Sequence, residues 1–585
     1  MRELRHIFDF CVVGGGLSGL SAAVAAARSG IRCALVHDRP VLGGNASSEI
    51  RMWICGASGK DNRETGIVEE ISLENNYRNP GSNFSIWDSV LYQLAIQEEN
   101  LTLFLNCSVN SLEMQGQKIK SVRGWQGTAE TWHVIEADVF ADCSGDSILA
   151  PLSGAEFRMG REASSEFDET LAQKVADSKT MGMSCLIQAR ETDSPKTFIP
   201  PPWAAKITCD SQLAMREHDF RGVNNFWWLE LGGDRDSIHD TEELRDELLA
   251  LAFGVWDHIK NHGEHGADNW ELEWVGFLPG KRESRRYVGD HMLSEKEILS
   301  GGKFPDVVAY GGWPIDDHFP GGFYHEGVPN RYIHLEQPYG IPYRCLYSKN
   351  IDNLMFAGRN ISTTHVGISS TRVMATCSLM GQAVGLAASL CHKYNCMPRG
   401  LYEDKHVKEL QTLLMDDDCY LPGLKREISQ LCQNATLSAS EGNPQALLSG
   451  IDRPRDAESN AWVGRPGAYV QYDFGKKVKV QSVRIVFDSD LNRMGKGSCS
   501  HHIEKNILSN FPLNEPPRTP PPSLVKEFIL ENRQADGSWK QCHVETNNYQ
   551  RLVRFDLELE TEAIRLIPKS TWGAQECRIF AFELR

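Results

Sequence analysis

The sequence predicts an α/β chain that ends in an all-β sandwich, on three observations. Near the N-terminus the apolar run "FDFCVVGG" (8–15) is followed by the Ala-rich "SGLSAAVAAARSG" (18–30) and a second apolar run "IRCALVHD" (31–38), the succession of a parallel strand, a helix and a strand. A helical pattern, "HVKELQTLLMDDDCYLPGLKREISQLC" (406–432), closes that part. Beyond it the short alternating runs "AYVQYDFG", "VQSVRIVFD", "VKEFILEN", "YQRLVRFDLEL" and "EAIRLIPK" carry the period-2 signature of antiparallel strands.

At 585 residues the chain is too long for one ordinary core, so two or three domains are expected. Its 41% hydrophobic and 24% charged residues, without low-complexity blocks or repeats, exclude a disordered chain. A formal charge of −17 argues against nucleic acid and anionic membrane surfaces, which need clustered Lys and Arg. The apolar run "LMGQAVGLAASLC" (379–391) is shorter than the about 20 residues a bilayer span needs, so no membrane segment is expected. The opening "MRELRHIFDFC" runs straight into a strand without a leader pattern, and a cytoplasmic location is expected. Sixteen cysteines without CxxC pairs point to free thiols rather than a disulfide framework.

Within the first strand–helix unit, Gly14 makes the tight turn, Gly16 lets backbone approach a pyrophosphate and Gly19 packs helix on strand, with Leu17 and Ser18 opening the helix. This is a Rossmann-like nucleotide site. The acid that holds the ribose is expected roughly 20 residues past the glycines. His37 stands at that place, followed by Asp38, the candidate substitute, and Arg39. The next stretch, "RPVLGGNASSEIRMWICGASG" (39–59), offers a second pair, Gly43 and Gly44, then Asn45, Ser47 and Ser48, all compatible with close approach of a ligand.

Three distant segments resemble the FAD-dependent oxidoreductases of the glutathione-reductase-like superfamily. The first is "VVGGGLSGLSAAVAAARSG" with "LVHDRPVLGGNASSE", where that family usually has Glu in place of His37. The second, "ADVFADCSGDSILA" (137–150), is similar to the family's second nucleotide-side turn and implies contacts from Asp142, Gly145 and Asp146. The third, "NIDNLMFAGRNISTTHVGISSTRVMATCSLMGQAVGLAASLC" (350–391), looks like the returning flavin segment, with Gly358, Arg359, Arg372 and Val373 at the cofactor and a helix beginning near "SSTRVM". The resemblance implies FAD as cofactor. It also implies an architecture: a Rossmann-like FAD-binding domain (1–155 and 336–395) with an inserted α+β substrate domain (156–335), a helical linker (396–432) and a β-sandwich (433–585). The sandwich resembles discoidin-like, galactose-binding-type modules through "NATLSASEG" and "SGIDRP", and either binds glycans or serves as a scaffold.

The chemistry is expected in the middle of the chain. His365, between the returning strand and the helix, is the expected base, with a pKa near neutrality suited to proton removal; the alternative is an imidazole that fixes the loop. Arg372 is open between a flavin contact and a structural role. "GKRESRRYVGDHMLSEKEI" (280–298) offers Arg282, Glu283, Arg285 and Arg286, of which Arg285 is a candidate proton donor. "AYGGWPIDDHFPGGFYHEG" (309–327) adds His318 and His325 in a loop suited to a polar, ring-stacking pocket. None of these residues stands at metal-ligand spacing, so no metal is expected. Cys55 could lie near the flavin, though a buried free cysteine is commonly inert.

The expected activity is oxidation of a hydroxyl on a sugar, glycoside or other polyhydroxylated small molecule by hydride transfer to flavin N5. Three alternatives stay open: reduction of an activated double bond or carbonyl, elimination through transient oxidation, and a carbohydrate-binding protein that has lost its cofactor. Oligomeric state is not readable.

Overall fold

The computed structural model describes residues 2–455 and 457–585. The chain forms two compact units: Met1–Ser58, Ser82–Leu410 and Met494–Pro517 in the first, and Gly59–Gly81, Gln411–Arg493 and Arg518–Arg585 in the second. The units interleave along the chain in a way that the expected boundaries, with an uninterrupted sandwich over 433–585, did not include. Residues 494–517, expected in the sandwich, dock on the first unit because Asn506 accepts from the Ile54 N–H (2.7 Å) and Asn510 from the Ala189 N–H (2.8 Å). Residues 59–81 belong to the second unit, where Leu73 enters the sandwich core, Tyr77 stacks on Tyr549 at 3.9 Å and Glu69 is ion-paired with Arg493 at 2.6 Å.

In the first unit a seven-stranded sheet runs in the order β3 (Leu101–Phe104), β2 (Cys33–Val36), β1 (Arg2–Val13), β6 (Thr131–Asp142), β5 (Lys118–Gln126), β4 (Cys107–Gln115). The returning strand Leu354–Phe356 pairs in parallel with the C-terminal end of β6. The first half of β1 alternates in exposure, whereas Phe10–Val13 are buried on both faces, as a central parallel strand requires. Helix α1 (Leu17–Arg28) follows the glycine turn and ends before Gly30, at φ +88°.

Across α1 lies the helix Met374–Tyr394, and two glycines let it come that close. A Cβ on Gly381 would stand 2.0 Å from the Ser18 carbonyl oxygen, and one on Gly385 would stand 2.2 Å from that of Ala22. The helix is longer than the apolar run read from the sequence; at 21 residues it has the length and composition to cross a membrane, but 94% of its apolar window is buried inside the protein.

The inserted α+β part is built from short two- and three-stranded ladders around the long helix Thr241–Asn261, with Met183, Leu248, Val255 and Trp256 in its core. In the second unit, strands Val470–Phe487 and Thr436–Ala439 pair within an antiparallel seven-stranded arrangement with Leu552–Thr571 at its centre. Register shifts after Asp473 and Val480 interrupt the ladder of these long strands, where bulges let them bend around a core of Trp462, Tyr472, Phe528 and Phe582. All sixteen cysteines are free thiols.

Candidate active site

The glycine turn between β1 and α1 is held from both sides. Gly14, at φ +105°, would put a Cβ 2.4 Å from the Cys143 backbone, and a Cβ on Gly19 would stand 1.8 Å from the Gly14 oxygen. Gly16 differs, because its nearest neighbour on that side is the Gly44 Cα at 3.9 Å. Bare backbone therefore faces a cavity of about 570 Å³ at the N-terminus of α1. The second glycine pair closes the same cradle: the Gly43 N–H donates to the Gly15 oxygen (2.8 Å), and Gly43 and Gly44 both have positive φ.

His37 serves the turn itself. Its Nδ1 accepts from the Gly15 N–H at 3.0 Å, which leaves the ring proton on Nε2 for the Val41 carbonyl, also 3.0 Å away. Asp38, exposed, lies at the cavity wall with its Oδ1 3.2 Å from His37 Nδ1. Leu17, Ser18, Arg39 and Asn45 line the same cavity.

Five residues expected at the cofactor do not line it, Val373 among them, which lines only a smaller cavity. Gly19 is consumed by helix packing. The Ser47 hydroxyl donates to the Gly44 oxygen (2.7 Å) and the Ser48 N–H to Asp88 (3.1 Å), so both shape the turn from behind. Asp142 is fully buried and accepts from the Ser144 and Leu149 N–H groups and the Tyr287 hydroxyl, bracing the loop 143–149; burial pushes its pKa up. That loop does present Gly145 and Asp146 to the cavity, opposite Gly358 and Arg359. Burial alone would raise the Asp146 pKa, but Arg359 (2.5 Å) and Lys281 (2.9 Å) hold it far below the usual carboxylate range.

Arg372 and Val373 interrupt what the sequence read as one helix, separating His365–Thr371 from Met374–Tyr394. Met374 and Cys377 line the large cavity, so the positive end of the long helix abuts it. Arg372 lines the large cavity and a second, smaller one of about 90 Å³ that continues from it, walled by Trp53, Cys55, Ser184, Arg282 and Val373. Its Nη2 binds Asp316 at 3.0 Å while its Nε is buried without a partner. Asp316 continues to His318 (3.4 Å), His318 to Glu230 (2.5 Å) and Glu230 to Arg282 (3.4 Å). Two arginines of the small cavity, Arg282 and Arg372, are thus joined by one buried chain through Glu230, His318 and Asp316. Burial opposes ionisation of Glu230 and Asp316, but these partners win and lower both pKa values.

The expected catalytic residues are placed differently. His365 lines neither cavity: its Nδ1 meets Glu283 at 2.9 Å and its Nε2 meets Asp317 at 3.2 Å. Burial lowers a histidine pKa, yet the two carboxylates raise this one to about 10, so the ring is an imidazolium with both protons committed and no base at neutral pH. His318, clamped in the chain above, also lies off both cavity walls. His325 stacks on Phe319 at 4.3 Å in a half-buried loop whose carbonyls accept from Arg216. Arg285 lines the large cavity beside Asp146 rather than the small one. Trp53 and Ser184 were missed; Trp53 had a signal, standing in "RMWICGASG" just past the second glycine pair, and Ser184 had none.

Cradle and cavities together define the class, an α/β dinucleotide-binding protein with a second, charged pocket beside the large cavity. Residues 9–414 match the family described as FAD dependent oxidoreductase, and the chain belongs to it. It is an FAD-dependent oxidoreductase. The residues fit that cofactor: Gly16 offers unobstructed backbone, Asp38 an exposed carboxylate, and Arg372 an unpartnered buried donor. No curated protein matches the chain. Among solved structures, the family 32 carbohydrate-binding module of Streptococcus pneumoniae EndoD is similar at 16% identity, over 27% of this chain and 99% of its own, with a TM-score of 0.20. A geranylgeranyl bacteriochlorophyll reductase-like protein from Thermoplasma acidophilum is similar at 12% identity, over 71% and 84%, with a TM-score of 0.32. A family 32 module from C. perfringens NanJ, solved with galactose, is similar at 12% identity, over 26% and 95%, with a TM-score of 0.18.

Proposed function

We propose that the protein oxidises a hydroxyl-bearing carbon of a sugar acid or related polyhydroxylated anion. The observation that carries this reading is the small cavity, where Arg282 and Arg372 stand on a wall shared with Trp53, Ser184 and Asn45. Bound FAD supplies a two-electron hydride acceptor. The glycine turns and the N-terminus of α1 would hold its pyrophosphate, Asp38 its ribose, and Arg372 with the positive end of Met374–Tyr394 would favour negative charge at its ring. Trp53 offers a face for a pyranose ring, and the guanidinium groups orient a carboxylate.

A second reading rests on a specific observation: the expected histidine base lies outside the cavity while arginines line it, an arrangement suited to delivering a proton during reduction of an activated double bond. Anaerobic mixing of holoprotein with neutral sugars, uronates and aldonates, read by flavin bleaching, tests the first. Uronates are expected to bleach the flavin faster than their neutral parents. Absence of bleaching by every member, with reoxidation of the reduced protein by unsaturated acids, would establish the second reading in its place.

A further inference from the structure

Between Thr192 and Leu229 the chain has no strand and no α-helix, only the 3-10 turn Asp210–Leu213. Yet this stretch buries Leu213, Phe220, Phe226 and Trp228 in the core beside the helix Thr241–Asn261. So long an irregular segment needs anchors other than a backbone ladder. Four side chains provide a meeting point: Asp210 and His218 from the stretch, His258 from the last turn of the helix, and His265 from the loop after it.

Their ligand atoms converge, all within 4.8 Å of one another. Asp210 Oδ1 lies 2.9 Å from His258 Nε2, 3.7 Å from His265 Nε2 and 3.8 Å from His218 Nε2, and the Nε2 atoms of His258 and His265 are 3.2 Å apart. A tetrahedral zinc ion with bonds of about 2.0–2.2 Å needs ligand atoms about 3.3–3.6 Å apart, a separation these distances bracket. The His218 tautomer suits it too. His218 Nδ1 stands 2.9 Å from the Arg216 carbonyl, so it carries the proton and turns the Nε2 lone pair inward. Two facing Nε2 atoms cannot both carry hydrogen at 3.2 Å.

We propose that Asp210, His218, His258 and His265 form a structural divalent-metal site of the zinc class, which clamps the irregular stretch to the helix. Four protein ligands complete a tetrahedron, so the site is closed rather than catalytic. His258 is the buried end, and Asp210, with a side chain 73% exposed, is the side from which an ion enters. This departs from the expectation of no metal, because the fold and not sequence spacing brings Asp210, His218, His258 and His265 together. The stretch leads directly into Glu230, a link in the chain between the cavity arginines Arg282 and Arg372, so the clamp also steadies that link.

Untagged full-length holoprotein, reconstituted with zinc and freed of excess by gel filtration, is expected to hold about one zinc per chain. Cobalt in its place should give tetrahedral d–d bands to the red of the flavin absorption. Removal of the zinc with a chelator should lower Tm and open the 192–229 stretch to protease while FAD stays bound. Asp210→Asn and His265→Gln should each reproduce the chelated state, with zinc reduced about tenfold or more, as loss of one ligand in four implies. The proposal is overturned if folded, FAD-loaded wild type takes up no zinc and shows no cobalt bands. It is equally overturned if zinc is lost on chelation with Tm and protease resistance unchanged.

Discussion

At His365 two carboxylates meet one imidazole, and the consequence is a pH signature. Its folded pKa of about 10 stands above the 6.5 of an unfolded histidine, so its contribution to stability is complete below about pH 6.5 and is lost as pH rises through 10. For so large a shift at a buried site the loss is on the order of 3–5 kcal/mol. Wild type should therefore lose stability between pH 7 and 10 more steeply than His365→Gln, measured by denaturant midpoints across that range; parallel curves would refute the imidazolium. The same variant should keep any inflection in flavin reduction between pH 6 and 8, because a group already protonated there does not titrate. The adjacent Asp316 and Asp317 explain why no spacing revealed this. On the strand Ile315–His318 they point to opposite faces, so Asp316 reaches His318 and Arg372 while Asp317 reaches His365 and Arg331. The remaining partner, Glu283, is 82 residues from His365 in sequence.

Among the elements, the first strand, helix and strand were legible because apolar period and glycine spacing are local properties, and the turn after β6 was legible for the same reason. The individual glycines separate into two jobs. Gly16→Ala meets open space and has φ −66°, which any residue adopts, so the fold should survive with a stability change within about 0.5 kcal/mol. FAD affinity should nonetheless fall about tenfold or more, since the methyl group enters the pyrophosphate's side of the turn; flavin release during dialysis measures it. Gly381→Ala and Gly385→Ala instead drive a Cβ into a carbonyl of α1 and should each cost about 1–3 kcal/mol in thermal unfolding, with the flavin still bound below Tm. Equal behaviour of the two sets would show that Gly16 has no special exposure to the ligand. What the element-level reading could not supply is the break at Arg372 and Val373, because "SSTRVM" contains no proline or glycine to announce it.

For the whole molecule, the interleaving of the two units turns an apparently simple boundary into a costly one. Alternating strands located the sandwich from sequence, but 494–517 carries no such pattern. Its allegiance to the first unit rests on Asn506, Ser509 and Asn510 reaching Ile54, Val223 and Ala189, partners 286 to 452 residues away. A chain cut after Cys432 would look like a complete flavoprotein by sequence. It would lose those partners, stripping the Ala189 N–H of its acceptor and removing the Phe511 backbone bridge from the strand Ile187–Glu191. Each buried backbone group left unpaired costs about 1–3 kcal/mol, and a few of them together approach the whole stability of a domain. Met52 and Trp53, beside the Ile54 N–H that Asn506 holds, line the small cavity, so the damage reaches the site. The truncated chain is therefore expected to melt at least about 10 °C lower than the full chain, or not to melt cooperatively at all, and to shed FAD on gel filtration. A truncation that stays yellow and melts as the full chain does would show that 494–517 is dispensable to the flavin unit. Restoring only 494–517 through a linker should recover flavin retention if its docking, rather than the sandwich as such, is what the first unit needs.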